Sequence, residues 1–160
     1  MTCHLRLPEP RKAYRIGDPE GRWPVYSAEG ARRVSGRWHD VGDRVIYASE
    51  RYSTAMFETL VRWNGPPPGN QHFVEIEMPA GTSYEVVDAD GLPEWHLPDS
   101  PVARGFGHRW FTEGRSAILI VPSVVARMER NVIIKSDHPE FARLVPREES
   151  PVWWDERLFS

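Results

Sequence analysis

Three residues that could do chemistry fall close together in the first part of the chain. Arg37 sits in Ser35-Gly36-Arg37-Trp38-His39, Tyr47 in Val45-Ile46-Tyr47-Ala48-Ser49, and Glu58 in Ala55-Met56-Phe57-Glu58. An arginine on a loop is thus followed by a tyrosine in an apolar strand and a glutamate on the next helix. A guanidinium clamps phosphate bidentately, and Arg, His and Glu are the types that perform acid–base work. A fourth residue, Ser123, ends the apolar run Leu119-Ile120-Val121-Pro122-Ser123. Taken singly, each has an ordinary explanation: a surface arginine, a core tyrosine, a solvated helix glutamate and a strand-ending serine. Only their order and spacing give them weight.

Several familiar sites are absent. The chain has no Gly-rich dinucleotide or phosphate loop, no paired cysteines and no His-Glu-x-x-His. His4, His39, His72, His96, His108 and His138 are scattered without ligand spacing, so no metal site is expected. The single cysteine, Cys3, has no internal disulfide partner and is a poor candidate for a buried nucleophile.

The elements that must position these residues are mostly strands. Alternation and β-branching predict strands at Ala13–Ile16, Arg44–Ala48, His72–Met78, Tyr84–Val87, Ala117–Val121 and Val132–Ile134. Arg143–Val145 and Val152–Trp154 read as late edge strands. One helix starts between Ser49 and Ser53 and runs to about Trp63, before Gly65-Pro66-Pro67-Pro68-Gly69; Ala55, Thr59, Leu60 and Trp63 form its expected packed face. A second has Ser100 as N-cap, Pro101 at its first position and Gly114 as its stop, with interior Gly105 and Gly107 against it. Strands with few helices between them argue for a compact α+β fold rather than regular βαβ units.

With 160 residues, 40% apolar and 27% charged, the chain is expected to form one soluble domain, 1–160, with a core of its own. It contains neither a membrane-length apolar run nor an apolar leader, so a cytoplasmic protein is expected. The net charge of −3 disfavours direct nucleic-acid binding. Yet residues 1–62 hold eleven Lys or Arg against eight Asp or Glu, and only Lys12 and Lys135 are lysines, so the first part of the chain is rich in guanidiniums suited to an anion.

The ordered segments around Arg37, Tyr47 and Glu58 resemble the RES domain, named for its Arg, Glu and Ser, the toxin of RES–Xre toxin–antitoxin pairs. The resemblance continues through Leu119–Ser123, Asn131–Ile134 and His138-Pro139 to Asp155–Leu158. Two segments depart from it: Ser35 and His39 stand where similar chains often read Gly and Asn, and Lys135-Ser136 where they read Asn-Pro. The resemblance implies an ADP-ribosyltransferase-like fold with a split, mostly antiparallel β core and few helices, and a cleft for NAD. It implies that Arg37 holds the pyrophosphate, Tyr47 stacks on nicotinamide or its ribose, Glu58 acts on that ribose, and Ser123 lines the same pocket. Ser116 is a second, lower-ranked pocket serine.

The implied activity is cleavage of the nicotinamide–ribose bond of NAD, by hydrolysis or phosphorolysis, with NAD as substrate and no metal. The implied partner is an Xre-like antitoxin, with room for a homodimer within that complex. Arg32, Arg33 and Arg37 are expected to form a basic stripe for an acidic segment of the antitoxin. The alternatives are transfer of ADP-ribose to a protein, ribonuclease chemistry, and a non-catalytic module that senses a nucleotide or holds a partner. A carboxylate in the cleft argues against the last, since it contributes little to binding an anionic dinucleotide.

Overall fold

A computed structural model describes residues 5–159; Cys3 and His4 lie outside them. In chain order the elements are β1 (Leu5–Arg6), β2 (Arg11–Gly17), α1 (Glu29–Arg33), β3 (Val45–Ser49), α2 (Tyr52–Leu60), β4 (His72–Met78), β5 (Ser83–Val86), α3 (Pro101–Glu113), β6 (Ile118–Pro122), β7 (Arg130–Lys135), β8 (Val145–Pro146) and β9 (Ser150–Pro151). The strands run β1-β5-β6-β7-β3-β2-β4-β8, with β9 also on β4. Among the described residues only β5 and β6 pair in parallel. The expected α+β class with a mostly antiparallel core is what the chain adopts.

The sheet is also split. β2 pairs with β4 over seven residue pairs, from Arg11↔Met78 to Gly17↔His72. Against β3, β2 keeps a single pair, Tyr14↔Ser49, so the strands part beyond it. Backbone groups left there need other partners, and the Arg15 side chain on β2 supplies one, donating from Nη1 to the Tyr47 carbonyl across the gap at 2.9 Å.

On the β3-β7-β6 side the strands are apolar on both faces. Ile118 and Ile120 join Ile46, Ala48, Val132 and Ile134 in one cluster, while Leu119 and Val121 join Val45, Ile133, Trp38 and Trp110 in the other. Such two-sided burial reads as an unbroken apolar run in sequence. Helix α3 covers the second cluster with Ala103, Gly107, Trp110 and Phe111. Its ends match expectation: Ser100 Oγ accepts from Ala103 N at 3.1 Å, Pro101 opens the helix, and Gly114 closes it at φ 62°. Gly107 is required by close approach, because a Cβ there would lie 1.7 Å from the Trp38 carbonyl oxygen.

Some boundaries differ from expectation. α2 ends at Leu60, and Trp63 is exposed beyond it rather than on its packed face. Neither Ser49 nor Ser53 caps it: Arg51 is the N-cap residue and makes no side-chain cap bond. Phe141–Arg143 forms a 3-10 turn, so the first late strand, β8, keeps only Val145 of the expected Arg143–Val145, and the second, β9, falls just before the expected Val152–Trp154. Each contains a proline, which an edge position tolerates because no ladder donor is needed from it. Among the described residues no helix is long and apolar enough to cross a membrane.

Candidate active site

The split between β2 and β3 opens a cleft of about 650 Å³. Arg15 comes from β2, Tyr47 and Ser49 from β3, Arg37 from the loop before β3, Glu58 from α2, Arg62 from the turn just after α2, and Asn131 from β7. The loop arginine, strand tyrosine and helix glutamate read from the sequence therefore meet in one cavity.

Glu58 is the most constrained of them. Its Oε1 accepts from Ser123 Oγ at 2.8 Å and from Asn131 Nδ2 at 3.0 Å. A carboxylate only accepts, so the Asn131 amide presents its nitrogen to Glu58 and its oxygen to Ser49 Oγ, which donates at 2.7 Å. Ser123 Oγ in turn accepts from Ala126 N at 3.1 Å. Oε2 lies 3.8 Å from Arg62 and accepts no hydrogen bond among the described residues, so it is the oxygen left for a ligand. Ser123 itself is fully buried and does not line the cleft; it stands behind Glu58 and donates to it. Ser116 is remote from this network, accepting from Trp110 Nε1 and donating to the Ile118 carbonyl, both at 2.8 Å.

Two guanidiniums in the cleft have no carboxylate partner among the described residues. Arg37 donates from Nη1 to the carbonyls of Trp95 and Leu97, both at 2.7 Å. Burial pushes Arg37 below its ordinary range, with the charge of Glu58 partly restoring it. Arg15 donates from Nε to the Val25 carbonyl and from Nη1 to Tyr47. Burial and the positive charge of Arg62 push Arg15 down to about 10. A buried cation of this kind is stabilised by an incoming anion.

Tyr47 is held by its hydroxyl. The oxygen accepts from Trp38 N at 3.1 Å and lies 2.7 Å from His39 Nδ1. Burial raises this phenol well above its usual range, so it remains protonated at neutral pH. The hydroxyl is thus engaged within the protein, and the ring is what remains to meet a ligand.

Sequence reasoning singled out neither Arg15, Asn131 nor Ser49 as a functional residue. Ser49 and Asn131 are register partners in the β3–β7 ladder, a relation visible only once the pairing is known. For Arg15 the signal was a charge in the otherwise strand-like Ala13-Tyr14-Arg15-Ile16. The expected basic stripe is not a continuous one: Arg32 pairs with Glu29 at 2.9 Å, Arg33 lies over the Trp23 ring at 5.2 Å, and Arg37 turns to Trp95 and Leu97. Among the described residues no three His, Cys, Asp or Glu side chains gather where a metal ion could be held.

Residues 12–155, which include the split sheet and every residue named in its opening, match the RES domain, and the chain belongs to that family of toxins. It is 36% identical over 162 residues to the Prs ADP-ribosylating toxin of Sphingobium sp., with 98% of this chain and 96% of that protein covered. It is 31% identical over 138 residues to Toxin Res of Pseudomonas putida, covering 83% and 92%. A chain of the Mycobacterium tuberculosis MbcT–MbcA toxin–antitoxin complex shares the fold, with a TM-score of 0.70 over 91% of this chain and 85% of that one at 15% identity.

Proposed function

We propose that the cleft binds NAD and that the protein breaks the bond between nicotinamide and its ribose. The observation that supports this most is Glu58, fixed by Ser123 and Asn131 beside Arg15 and Arg37, two guanidiniums without carboxylate partners. In NAD the nicotinamide is already a cation. When the C–N bond breaks, its electron pair leaves with the ring nitrogen and nicotinamide departs neutral, so no strong acid is required. The ribose is left as an oxocarbenium ion. A preorganised carboxylate at its 2-hydroxyl stabilises that charge as it develops, as in glycoside cleavage. Arg37 and Arg15 receive the pyrophosphate as forks, and the Tyr47 ring lies against nicotinamide or its ribose.

The acceptor is water, which bonds through oxygen to the freed ribose carbon and releases a proton to solvent, or inorganic phosphate, which bonds through an anionic oxygen; either depletes NAD. Glu58 is the one carboxylate lining the cleft among the described residues. An already anionic phosphate oxygen needs no base to deprotonate it. A second reading, transfer of ADP-ribose to a protein, draws support from the name of the Sphingobium relative and from Val34, Val61 and Val125, which expose apolar surface on the cleft lining. Ribonuclease chemistry has little support in the site, because His39 is buried with both ring nitrogens engaged.

An enzyme that consumes NAD endangers its own cell, so an Xre-like antitoxin in the same cytoplasm is the expected partner, in line with the toxin–antitoxin complex that shares the fold. The function is tested by incubating purified protein with NAD, with and without phosphate and with and without cell extract, and identifying products by mass. Nicotinamide together with ADP-ribose, or its 1-phosphate, is expected. ADP-ribose bound to an extract protein selects the second reading, and intact NAD refutes both.

A further inference from the structure

We infer that His39 is a positioning residue of this cleft: its imidazole latches the α1 wall to strand β3 and holds the Arg37 loop, and so sets the affinity for NAD rather than the rate of the chemical step. The ligand in this statement rests on the NAD reading above; the latch rests on geometry alone.

His39 is 3% exposed. Its Nε2 lies 2.8 Å from both the Ala31 and the Val34 carbonyl oxygens. Carbonyls only accept, so Nε2 carries a hydrogen shared between them. In the neutral tautomer Nδ1 is then an acceptor, and it takes the Tyr47 hydroxyl hydrogen at 2.7 Å while Tyr47 accepts from Trp38 N. Every polar atom of the group is satisfied in this one arrangement.

Apart from His39, the wall is held by Ala31, packed on the second apolar cluster, and by Arg33 over the Trp23 ring. α1 has five residues and none of them is buried, and its last carbonyls have no intrahelical partners. His39 supplies a donor to two carbonyls at that end, and Gly42 N bonds the Arg32 carbonyl at 2.8 Å. The Arg37 loop is pressed onto the same pair: a Cβ at Gly36 would come within 2.7 Å of the His39 ring and 2.9 Å of the Tyr47 hydroxyl. Gly36 N also donates to the His39 carbonyl at 3.1 Å, and Arg104 Nε donates to the Gly36 carbonyl at 3.2 Å. Ala31, Val34 and Arg37 all line the cleft, so releasing the imidazole loosens one whole side of it.

Two substitutions separate the two ends of the latch. An asparagine side chain places its amide near the position of Nδ1 and keeps a partner for Tyr47, but it does not reach the two carbonyls. A glutamine reaches the position of Nε2 and loses Tyr47. Neither spans both.

The experiment compares the parent with His39→Asn and His39→Gln. It reads the NAD dissociation constant by calorimetry, KM and kcat for nicotinamide release, amide hydrogen exchange over residues 30–38, and the imidazole 15N shifts of the parent. The expected result is the Nε2–H tautomer in the parent. Each variant should show a roughly tenfold rise in dissociation constant and KM, kcat within about threefold, and faster exchange. Unchanged affinity and exchange in a folded variant, a fall in kcat at constant KM, or an Nδ1–H tautomer overturns the inference. Should one variant not fold, the other and the parent tautomer decide. If the parent neither binds nor cleaves NAD, the NAD reading fails by itself. Exchange then judges the latch, upheld if faster in the variants and overturned if not.

Discussion

Replacing Glu58 with glutamine isolates the charge that the proposed reaction needs. Oε1 already accepts from Ser123 and Asn131, and the glutamine oxygen can keep both bonds. The new amide nitrogen takes the place of Oε2, whose ion pair is with Arg62 at 3.8 Å, an arginine 75% exposed, so the loss of this pair has little effect on the ground state. Fold and NAD affinity should therefore survive. What disappears is the attraction between a carboxylate and the oxocarbenium ion. At about 4 Å and an effective dielectric constant of about 20, two unit charges interact by about 4 kcal/mol. Partial charge development and an open cleft reduce this to roughly 3 kcal/mol, or a rate loss on the order of 100-fold. The assay is nicotinamide release at saturating NAD, with thermal melting to establish folding. We expect kcat to fall by at least about 100-fold with KM within about threefold. A folded variant releasing nicotinamide within about threefold of the parental rate would refute the role of Glu58.

Three further outcomes follow from the same geometry. Arg15→Lys keeps a cation but loses the planar fork and the bond across the split, so KM for NAD should rise by roughly tenfold with kcat near parental; an unchanged KM would remove Arg15 from the binding site. Gly107→Ala drives a Cβ into the Trp38 carbonyl, and overpacking of about 3 kcal/mol should lower Tm by about 10 °C in a melting curve; a parental Tm would mean that α3 and the Arg37 loop separate freely. Burial alone would raise the Glu140 carboxyl, but the N–H and hydroxyl of Ser83, with His138 and Arg6 nearby, hold it below the ordinary carboxylate range. Its contribution is present above the ordinary value and disappears as pH falls through the depressed one. Melting at pH 7 and below pH 4 should thus show a smaller acid loss in Glu140→Gln than in the parent, and equal losses would contradict the assignment.

What was legible in the sequence was whatever local chemistry dictates. His72–Met78 alternates between buried and half-buried positions and was bounded to the residue. α3 was bounded as well, because a serine cap, an N-terminal proline and a left-handed glycine each act within one turn. α2 stops at Leu60, short of the expected end near Trp63, because Trp63, apolar in type, is exposed rather than packed. β1 and α1, of two and five residues, are too short to show a period. In the site, Arg37, Tyr47 and Glu58 were found through their order along the chain, and all three line the cleft. Asn131, Ser49 and Arg15 were not, because what brings them to the cleft is a cross-strand register and the gap where β2 leaves β3. The burial of Ser123 behind Glu58 and the grip of His39 on Tyr47 likewise depend on contacts that no local pattern encodes.

The most direct test of the central claim is a crystal structure of the Glu58→Gln protein soaked with NAD, in which binding persists and turnover is slow. The account predicts a dinucleotide lying in the split between β2 and β3, its nicotinamide ribose within hydrogen-bonding distance of residue 58 and its pyrophosphate against Arg15 and Arg37. NAD bound elsewhere, or bound in the split with the nicotinamide ribose far from residue 58, would contradict it.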